Sequence, residues 1–215
     1  RPYPKPLMAA FPKGARKPLF EGRKQITEEE YAEYRKWREE EEEKKYRSLD
    51  DLRTILYFGE IESDRSKEVV RKMLEFESKD PGEPIILKIS SSGGSALDGL
   101  TIIETMRSIT SPVMTYCLGY ALSMALVILA AGEKGSRYCS RGSWVMMHQI
   151  SAGRYQRFDE LKTTFSFYER LNDQLADILA ECTGQPFEKI KTDMREDVWM
   201  SAEEAQEFGL VDGII

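Results

Sequence analysis

Gly119-Tyr-Ala-Leu-Ser-Met124 lies between two apolar runs of the chain. The residues before it, 112–117, predict a short buried strand, and residues 125–131 predict a buried helix that ends at Gly132. Ser123 is therefore expected at a sharp turn from strand to helix, where the free N–H groups favour a developing negative charge. This position suits a serine that attacks a carbonyl carbon. A serine that only caps the helix would occupy the same place.

The composition of the chain narrows the class of protein. Its 215 residues are enough for one domain with an extension, and a hydrophobic share of 41% supports a core. The net charge of −6 argues against a dedicated nucleic-acid binder. Three cysteines without a CxxC pair indicate reduced thiols and a cytoplasmic location. Because no apolar run reaches the length of a membrane span, no membrane partner is expected.

The first 48 residues are expected to extend from the folded domain. Residues 1–24 are basic and contain several prolines, which predicts an arm without a core of its own. Thr27-Glu-Glu-Glu30 is a capping-box pattern, and it predicts a helix that continues through an acidic stretch to about Arg47. The globular domain is therefore expected at residues 49–215.

From residue 49 onward, predicted strands alternate with predicted helices. This alternation implies right-handed crossovers and a mostly parallel sheet. Catalytic and binding groups of such sheets lie at the carboxyl ends of the strands, so residues 90–95 and 119–123 are expected to be neighbours. Strands are predicted at 54–58, 85–89, 112–117, 136–139, 144–147 and 210–215, and helices at 64–77, 96–109, 125–131, 158–182, 186–194 and 201–209.

Two side chains in these segments suit the chemistry of a serine hydrolase. Such an enzyme needs a nucleophile, a base, an acid that orients the base, and donors for an oxyanion. Ser123 suits the nucleophile, and His148, the only histidine of the chain, is the available base. The residues alone leave several carboxylates open as the acid. Gly93-Gly94 offers unobstructed N–H groups after a strand, although a simple tight turn would use the same residues.

Several motifs together carry a resemblance to a known family. They are Gly119-Tyr-Ala-Leu-Ser-Met124, Leu129-Ala-Ala-Gly132, Met146-Met-His-Gln149, Thr183-Gly-Gln185, and Met200-Ser-Ala-Glu-Glu-Ala205 with Gly209-Leu-Val-Asp212. In this combination and order, the chain resembles the Clp protease proteolytic subunit (ClpP) family over about residues 52–215. The resemblance implies an α/β fold, the ClpP/crotonase-like ββα superhelix, in which the helix predicted at 158–182 is a long handle.

The resemblance also implies which residues form the site, because the spacings between the triad positions match the family without a gap. The implied residues are a catalytic triad of Ser123, His148 and Asp197, an oxyanion hole from the N–H groups of Gly94 and Met124, and substrate contacts from Gly93, Ser151, Ala152 and Gly153. The implied activity is serine-type endopeptidase chemistry through an acyl-enzyme, which needs no metal and no cofactor.

The resemblance further implies an assembly and its partners. Members of the family form heptameric rings that stack in pairs, and they cut unfolded polypeptides that an AAA+ unfoldase delivers. The chain is therefore expected to form homo-oligomeric or mixed rings with unfolded proteins as substrates. A AAA+ unfoldase is a possible partner, but Lys88 stands where the family commonly has an aromatic residue in the pocket for the unfoldase loop.

Other positions also depart from the family pattern. Ser92 stands where the family usually has a proline before two glycines, and the usual axial-loop segment is not recognisable before residue 49. Arg195 and Glu196 reverse an acidic residue and an arginine that pair across the family's rings, so we interpret them as a charge-swapped ring–ring contact.

These departures leave alternatives open. One is a phage-type ClpP-like maturation protease, and another is a ring subunit with a mainly structural role. A third is an acyl-thioester enzyme of the same superfamily, against which the Ser–His pair argues.

Overall fold

The computed structural model describes residues 31–36, 48–151 and 158–215, with the backbone alone for residues 158–163. The chain divides into two units, Arg1–Ser48 and Leu49–Ile215. In the first unit, residues 31–36 are helical, as expected from the capping box, and the predicted arm lies outside the described residues. The second unit contains all the elements numbered below.

Seven strands and six helices form the described part of the second unit. The strands are β1 (Thr54–Phe58), β2 (Ile85–Ser91), β3 (Val113–Leu122), β4 (Arg137–Cys139), β5 (Trp144–Met147), β6 (Val198–Ser201) and β7 (Gly213–Ile214). The helices are α1 (Ser63–Lys79), α2 (Ala96–Ser108), α3 (Met124–Ala130), α4 (Phe158–Thr183), α5 (Phe187–Asp193) and α6 (Ala202–Phe208).

The predicted mostly parallel sheet is confirmed. Strands β1, β2, β3, β4 and β7 follow one another in that order and pair in parallel. Strand β5 pairs in parallel with the last part of β3, and β6 pairs antiparallel with β5. The alternating burial along β2 places Ile85, Leu87 and Ile89 in the core. The carboxyl ends of β1, β2 and β3 therefore meet at one edge of the sheet.

Strand β3 is longer than the sequence predicts. The predicted strand ends at Cys117, but β3 continues to Leu122 and changes partners on the way. Its first part pairs with β2 and β4, whereas residues 120–122 pair with β5. Gly119 has φ of +85° at the irregularity in the pairing with β2, a conformation that glycine adopts without steric cost. The glycine therefore bends the strand instead of ending it.

The C-terminal elements differ from the prediction in two further ways. Strand β6 was not predicted, and the strand predicted at 210–215 is reduced to β7. Helix α6 agrees with its predicted capping box, since the Ser201 hydroxyl accepts from the Glu204 N–H and the Glu204 carboxylate accepts from the Ser201 N–H. Gly209 ends this helix in the left-handed conformation, as its position predicts.

A buried ion pair joins the ends of several elements. Arg137 on β4 donates to Asp212 from Nη2 at 2.7 Å and from Nε at 2.8 Å. Its Nη1 donates to the carbonyls of Ala130, at the end of α3, and Cys182, near the end of α4. The Arg137 guanidinium lowers the pKa of the Asp212 carboxyl. This one side chain therefore anchors α3 and α4 to the sheet.

Candidate active site

Ser123 is held in a strained turn between β3 and α3. Its φ of +54° and ψ of −126° are unusual for a residue with a side chain. Its N–H donates to the Met146 carbonyl at 2.8 Å, which fixes the backbone of the turn. The Ser123 side chain makes no capping hydrogen bond to α3. Of the two roles that the sequence left open for this serine, capping is therefore not the one its side chain performs.

His148 lies beside Ser123 because the two strands that carry them are paired. Leu122 on β3 pairs with Met146 on β5, so the residues just after these two strands lie close to one another. His148 Nε2 lies 2.7 Å from Ser123 Oγ, a normal hydrogen-bond distance. The imidazole is thus in reach of the serine proton.

Asp197 reaches the other side of the imidazole. It precedes β6, whose antiparallel pairing sets Val198 opposite Met147, the residue before His148. Asp197 Oδ1 lies 3.5 Å from His148 Nδ1, and 66% of the Asp197 side chain is exposed. This separation lets the carboxylate attract a protonated imidazole but exceeds the length of a normal hydrogen bond. The structure therefore brings the three predicted triad residues together, with the acid less closely engaged than the base.

The glycine loop after β2 lies directly against Ser123. The loop is pinned by hydrogen bonds from Ile61 N–H to Gly93 O at 2.7 Å and from Ser95 N–H to Ile61 O at 2.8 Å. Gly93 N–H donates to Ser91 Oγ at 3.1 Å. A β-carbon built on Gly93 would lie 2.7 Å from the Cβ of Ser123. Only glycine permits this close approach.

Two N–H groups near this loop are placed to receive an oxyanion. Met124 is the first residue of α3, so its N–H has no acceptor within the helix. The hydrogen bonds that pin the loop use the N–H groups of Gly93 and Ser95 and the carbonyl of Gly93, and within the described residues none involves the N–H of Gly94. A β-carbon on Gly93 would lie 3.2 Å from Met124 N, which shows how near the two segments are. The structure is therefore consistent with Gly94 and Met124 as oxyanion donors, and this role remains a prediction.

A cavity of about 680 Å³ opens beside Ser123 and His148. One wall is apolar and includes Ile150, Leu171 and Leu175, the last two from α4. Gly93 and Ser151, two of the predicted substrate contacts, also line it, whereas the other two, Ala152 and Gly153, lie outside the described residues. Within the described ranges, no group of three or more His, Cys, Asp or Glu side chains is arranged to hold a metal ion.

One predicted pair of residues lies outside the cavity, and one carboxylate that was not predicted lines it. Arg195 and Glu196 do not line the cavity; both are exposed in the turn just before Asp197. Glu60 does line it, although it is not among the site residues predicted from the sequence. The available signal was its position two residues after the end of the first strand, at the edge of the sheet where the other site residues lie.

The comparison with known families agrees with this geometry. An α/β fold that brings a serine, a histidine and an aspartate together beside a glycine loop has the geometry of a serine hydrolase. The chain matches the Clp protease family over residues 37–215, and it belongs to that family. The predicted resemblance is thus confirmed, and the match begins at residue 37 rather than near residue 52. Membership makes the chain a ClpP-type peptidase in general and accounts for its α/β fold with the long helix α4. Among the described residues, no helix is long and apolar enough to cross a membrane.

Proposed function

We propose that this chain is a serine endopeptidase, the proteolytic subunit of a Clp-type compartmental protease that cleaves unfolded polypeptides. The observation that carries the proposal is the 2.7 Å contact between His148 Nε2 and Ser123 Oγ, made by a serine in a strained turn. A serine hydroxyl is a weak nucleophile unless a base takes its proton. Ser123 and His148 have the geometry for that transfer.

In the first step, Ser123 Oγ attacks the carbonyl carbon of the scissile peptide bond while His148 Nε2 takes its proton. The negative charge that develops on the carbonyl oxygen is stabilised by the N–H groups of Gly94 and Met124. Asp197 favours the imidazolium that forms and holds its orientation. His148 then gives the proton to the leaving amine, which leaves an acyl-enzyme on Ser123.

In the second step, a water molecule replaces the leaving amine. His148 takes a proton from this water, whose oxygen attacks the acyl carbon, and the same two N–H groups hold the second oxyanion. Return of the proton to Ser123 releases the carboxylic acid product. The cycle uses side chains and backbone groups of this chain only, so it requires no metal or cofactor.

The proposed assembly is a heptameric ring, homo-oligomeric or mixed, stacked in pairs in the cytoplasm. The Clp protease family generally forms oligomeric rings that work with unfoldases, and a AAA+ unfoldase is the proposed partner. Asp197 is two-thirds exposed and lies beside Arg195 and Glu196, so a facing subunit at this turn would cover the acid. Residues 1–48 are proposed to be an extension outside the peptidase domain.

Intact-mass labelling with a fluorophosphonate tests the proposed nucleophile. Wild type should gain one adduct, and both Ser123→Ala and His148→Ala should gain none, because labelling requires an activated serine. Ser92→Ala is the matched control: Ser92 also lines the cavity, but the hydrogen bond of His148 is to Ser123, so this variant should keep the adduct. An adduct on Ser123→Ala would contradict the assignment.

The distance between Asp197 and His148 also favours a second candidate, a ring subunit with a mainly structural role. An acid 3.5 Å from the imidazole orients it less firmly than a hydrogen-bonded one. An assembled wild type without an adduct would support this candidate. A phage-type maturation protease would instead label normally, but would cut a folded precursor at a defined bond and spare a denatured protein such as casein.

A further inference from the structure

Glu60 lines the same cavity as the proposed catalytic residues. Glu60 is exposed and lies at the carboxyl end of β1, beside the glycine loop. A β-carbon built on Gly94 would lie 3.0 Å from Glu60 Cγ, just as one built on Gly93 would lie 2.7 Å from the Cβ of Ser123. Glu60 and Ser123 therefore contact adjacent glycines of one loop.

Glu60 is also the one side chain of fixed charge among the described residues that line this cavity. The nearby cation in sequence, Arg65, forms its ion pair with Glu62 at 2.9 Å instead. Within the described residues, no lysine or arginine neutralises Glu60. The apolar side chains that line the cavity include Ile150, Leu171 and Leu175. Among the described lining residues, the cavity thus offers one negative charge to an incoming chain and no lysine or arginine.

The reach of an extended substrate limits where this charge acts. An extended chain advances about 3.3 Å per residue, and a lysine or arginine side chain is several bonds long. The scissile carbonyl must lie within reach of Ser123 Oγ and of the N–H groups of Gly94 and Met124, and Glu60 lies against Gly94. A basic side chain within about two residues of the cleaved bond can therefore bring its cation to the carboxylate.

We propose that Glu60 is a specificity-determining residue that selects substrate segments with lysine or arginine within two residues of the scissile bond. The inference rests on the proposed endopeptidase function, whose site it extends. Because Glu60 is exposed, the attraction adds to binding and does not take part in bond cleavage. Its effect should therefore appear in KM more than in kcat.

A positional series of fluorogenic peptides tests the proposal on the full-length protein. The parent peptide is neutral, and lysine, glutamine or glutamate replaces one residue at each of three positions on either side of the cleaved bond. At the best position, kcat/KM for the lysine peptide should exceed that of the glutamine peptide by about threefold to fivefold, the worth of an exposed ion pair. The glutamate peptide should be the poorest, and added salt should shrink the differences.

Three variants identify the group responsible. Glu60→Gln should make the lysine and glutamine peptides equivalent and remove the salt effect, and Glu60→Lys should make the glutamate peptide the best. Glu83→Gln is the matched control, because it makes the same change on an exposed side chain that does not line the cavity and leaves the pair of Arg65 and Glu62 intact. It should keep the wild-type preference.

The outcomes separate this inference from the proposed function. Cleavage of the neutral parent without a lysine preference, or a preference that survives in Glu60→Gln, overturns the role of Glu60 alone. If no peptide is cleaved and the fluorophosphonate leaves Ser123 unmodified, the endopeptidase function is wrong and the role of Glu60 falls with it.

Discussion

Asp197 Oδ1 lies 3.5 Å from His148 Nδ1, whereas His148 Nε2 lies 2.7 Å from Ser123 Oγ. The imidazole is therefore bound closely to the nucleophile and loosely to the acid. A carboxylate in this position still favours the tautomer with a proton on Nδ1, which leaves Nε2 free to accept the serine proton. Asp197 is thus the proposed orienting acid, even though its side chain is largely exposed.

Replacing the acid should abolish most of the activity without affecting the fold. Asp197→Asn is expected to lower kcat by about 10²- to 10⁴-fold, because it favours the wrong tautomer and removes the charge that stabilises the imidazolium. Its melting temperature should stay near that of wild type, since the side chain is exposed. Asp193→Asn, which removes a nearby carboxylate paired with Lys189, is the control. An Asp197→Asn enzyme with more than about a tenth of wild-type kcat would point to another acid.

The strained backbone of Ser123 predicts a difference between two inactive variants. Ser123→Ala keeps a side chain at φ of +54°, whereas Ser123→Gly relieves a strain of about 1–3 kcal/mol. Glycine also makes the unfolded chain more flexible, which costs about 0.5–1 kcal/mol. The relief outweighs this cost, so Ser123→Gly should be the more stable of the two by about 1 kcal/mol. Urea denaturation of both variants measures the difference, and a less stable glycine variant would contradict the strain.

The glycine loop should tolerate no side chain at the position that faces Ser123. A β-carbon on Gly93 would lie 2.7 Å from both Leu122 O and Ser123 Cβ, so Gly93→Ala must move the nucleophile. A displacement of about 1 Å costs on the order of 100-fold in rate. Gly82 also has positive φ, but nothing lies within 4 Å of its built β-carbon. Gly82→Ala should therefore lose some stability and keep its peptidase activity.

If Gly93→Ala and Gly82→Ala lose activity to the same extent, strain anywhere in the fold is enough to inactivate the enzyme. The proposed close approach of Gly93 to Ser123 would then not be the cause. Circular dichroism on both variants ensures that folded proteins are compared.

The sequence predicts those helices and strands that depend on local residue patterns. The strand at Thr54–Phe58 and the capping box at Ser201 follow from residue pattern and side-chain chemistry, and both are present in the structure. Strand β6 has only four residues and is held by its pairing with β5. A segment this short has no residue pattern from which a strand could be predicted. The continuation of β3 past Gly119 likewise depends on a partner strand that is distant in sequence.

The same distinction applies to the candidate site. Ser123 could be predicted as the nucleophile from the expected turn. His148 could be predicted as the base because the chain has one histidine. Asp197 could not be predicted from the residues alone, because several carboxylates were candidates for the acid. Only the family resemblance distinguished it from the others. Its position opposite His148 results from the pairing of β5 with β6, the pairing that sequence reasoning missed.

The ion pair of Arg137 and Asp212 should be important for stability. Removing one partner leaves a charge uncompensated in a site where Arg137 is only 3% exposed. Asp212→Asn is therefore expected to cost about 3–5 kcal/mol of unfolding free energy at neutral pH. Glu203→Gln, which breaks the exposed pair with Arg141, is the control and should cost less than about 1 kcal/mol. Equal losses would mean that the buried pair contributes no more than a surface one.

The difference in unfolding free energy between wild type and Asp212→Asn should change with pH in a definite direction. Arg137 lowers the pKa of Asp212 in the folded protein, so the unfolded chain binds the proton more readily. The stabilisation is fully present above the unfolded pKa of about 3.9, and it is lost as pH falls through the lower, folded-state pKa. The gap between wild type and Asp212→Asn should thus be constant above about pH 5 and shrink at lower pH. Denaturation at several pH values between neutral and acidic conditions measures this.

Arg195 and Glu196 are predicted to join two rings, and this contact would also act on the site. Both are exposed in the turn that leads to Asp197, so a facing subunit held there would cover the acid and limit its motion. Arg195→Glu and Glu196→Arg should each set like charges opposite one another, and each should lower both the double-ring fraction and peptide cleavage by about tenfold or more. The double exchange restores opposite charges and should recover both. Light scattering after size exclusion, with a peptide assay on the same fractions, measures the two effects. A single variant that assembles and cleaves like wild type would show that these residues do not join the rings.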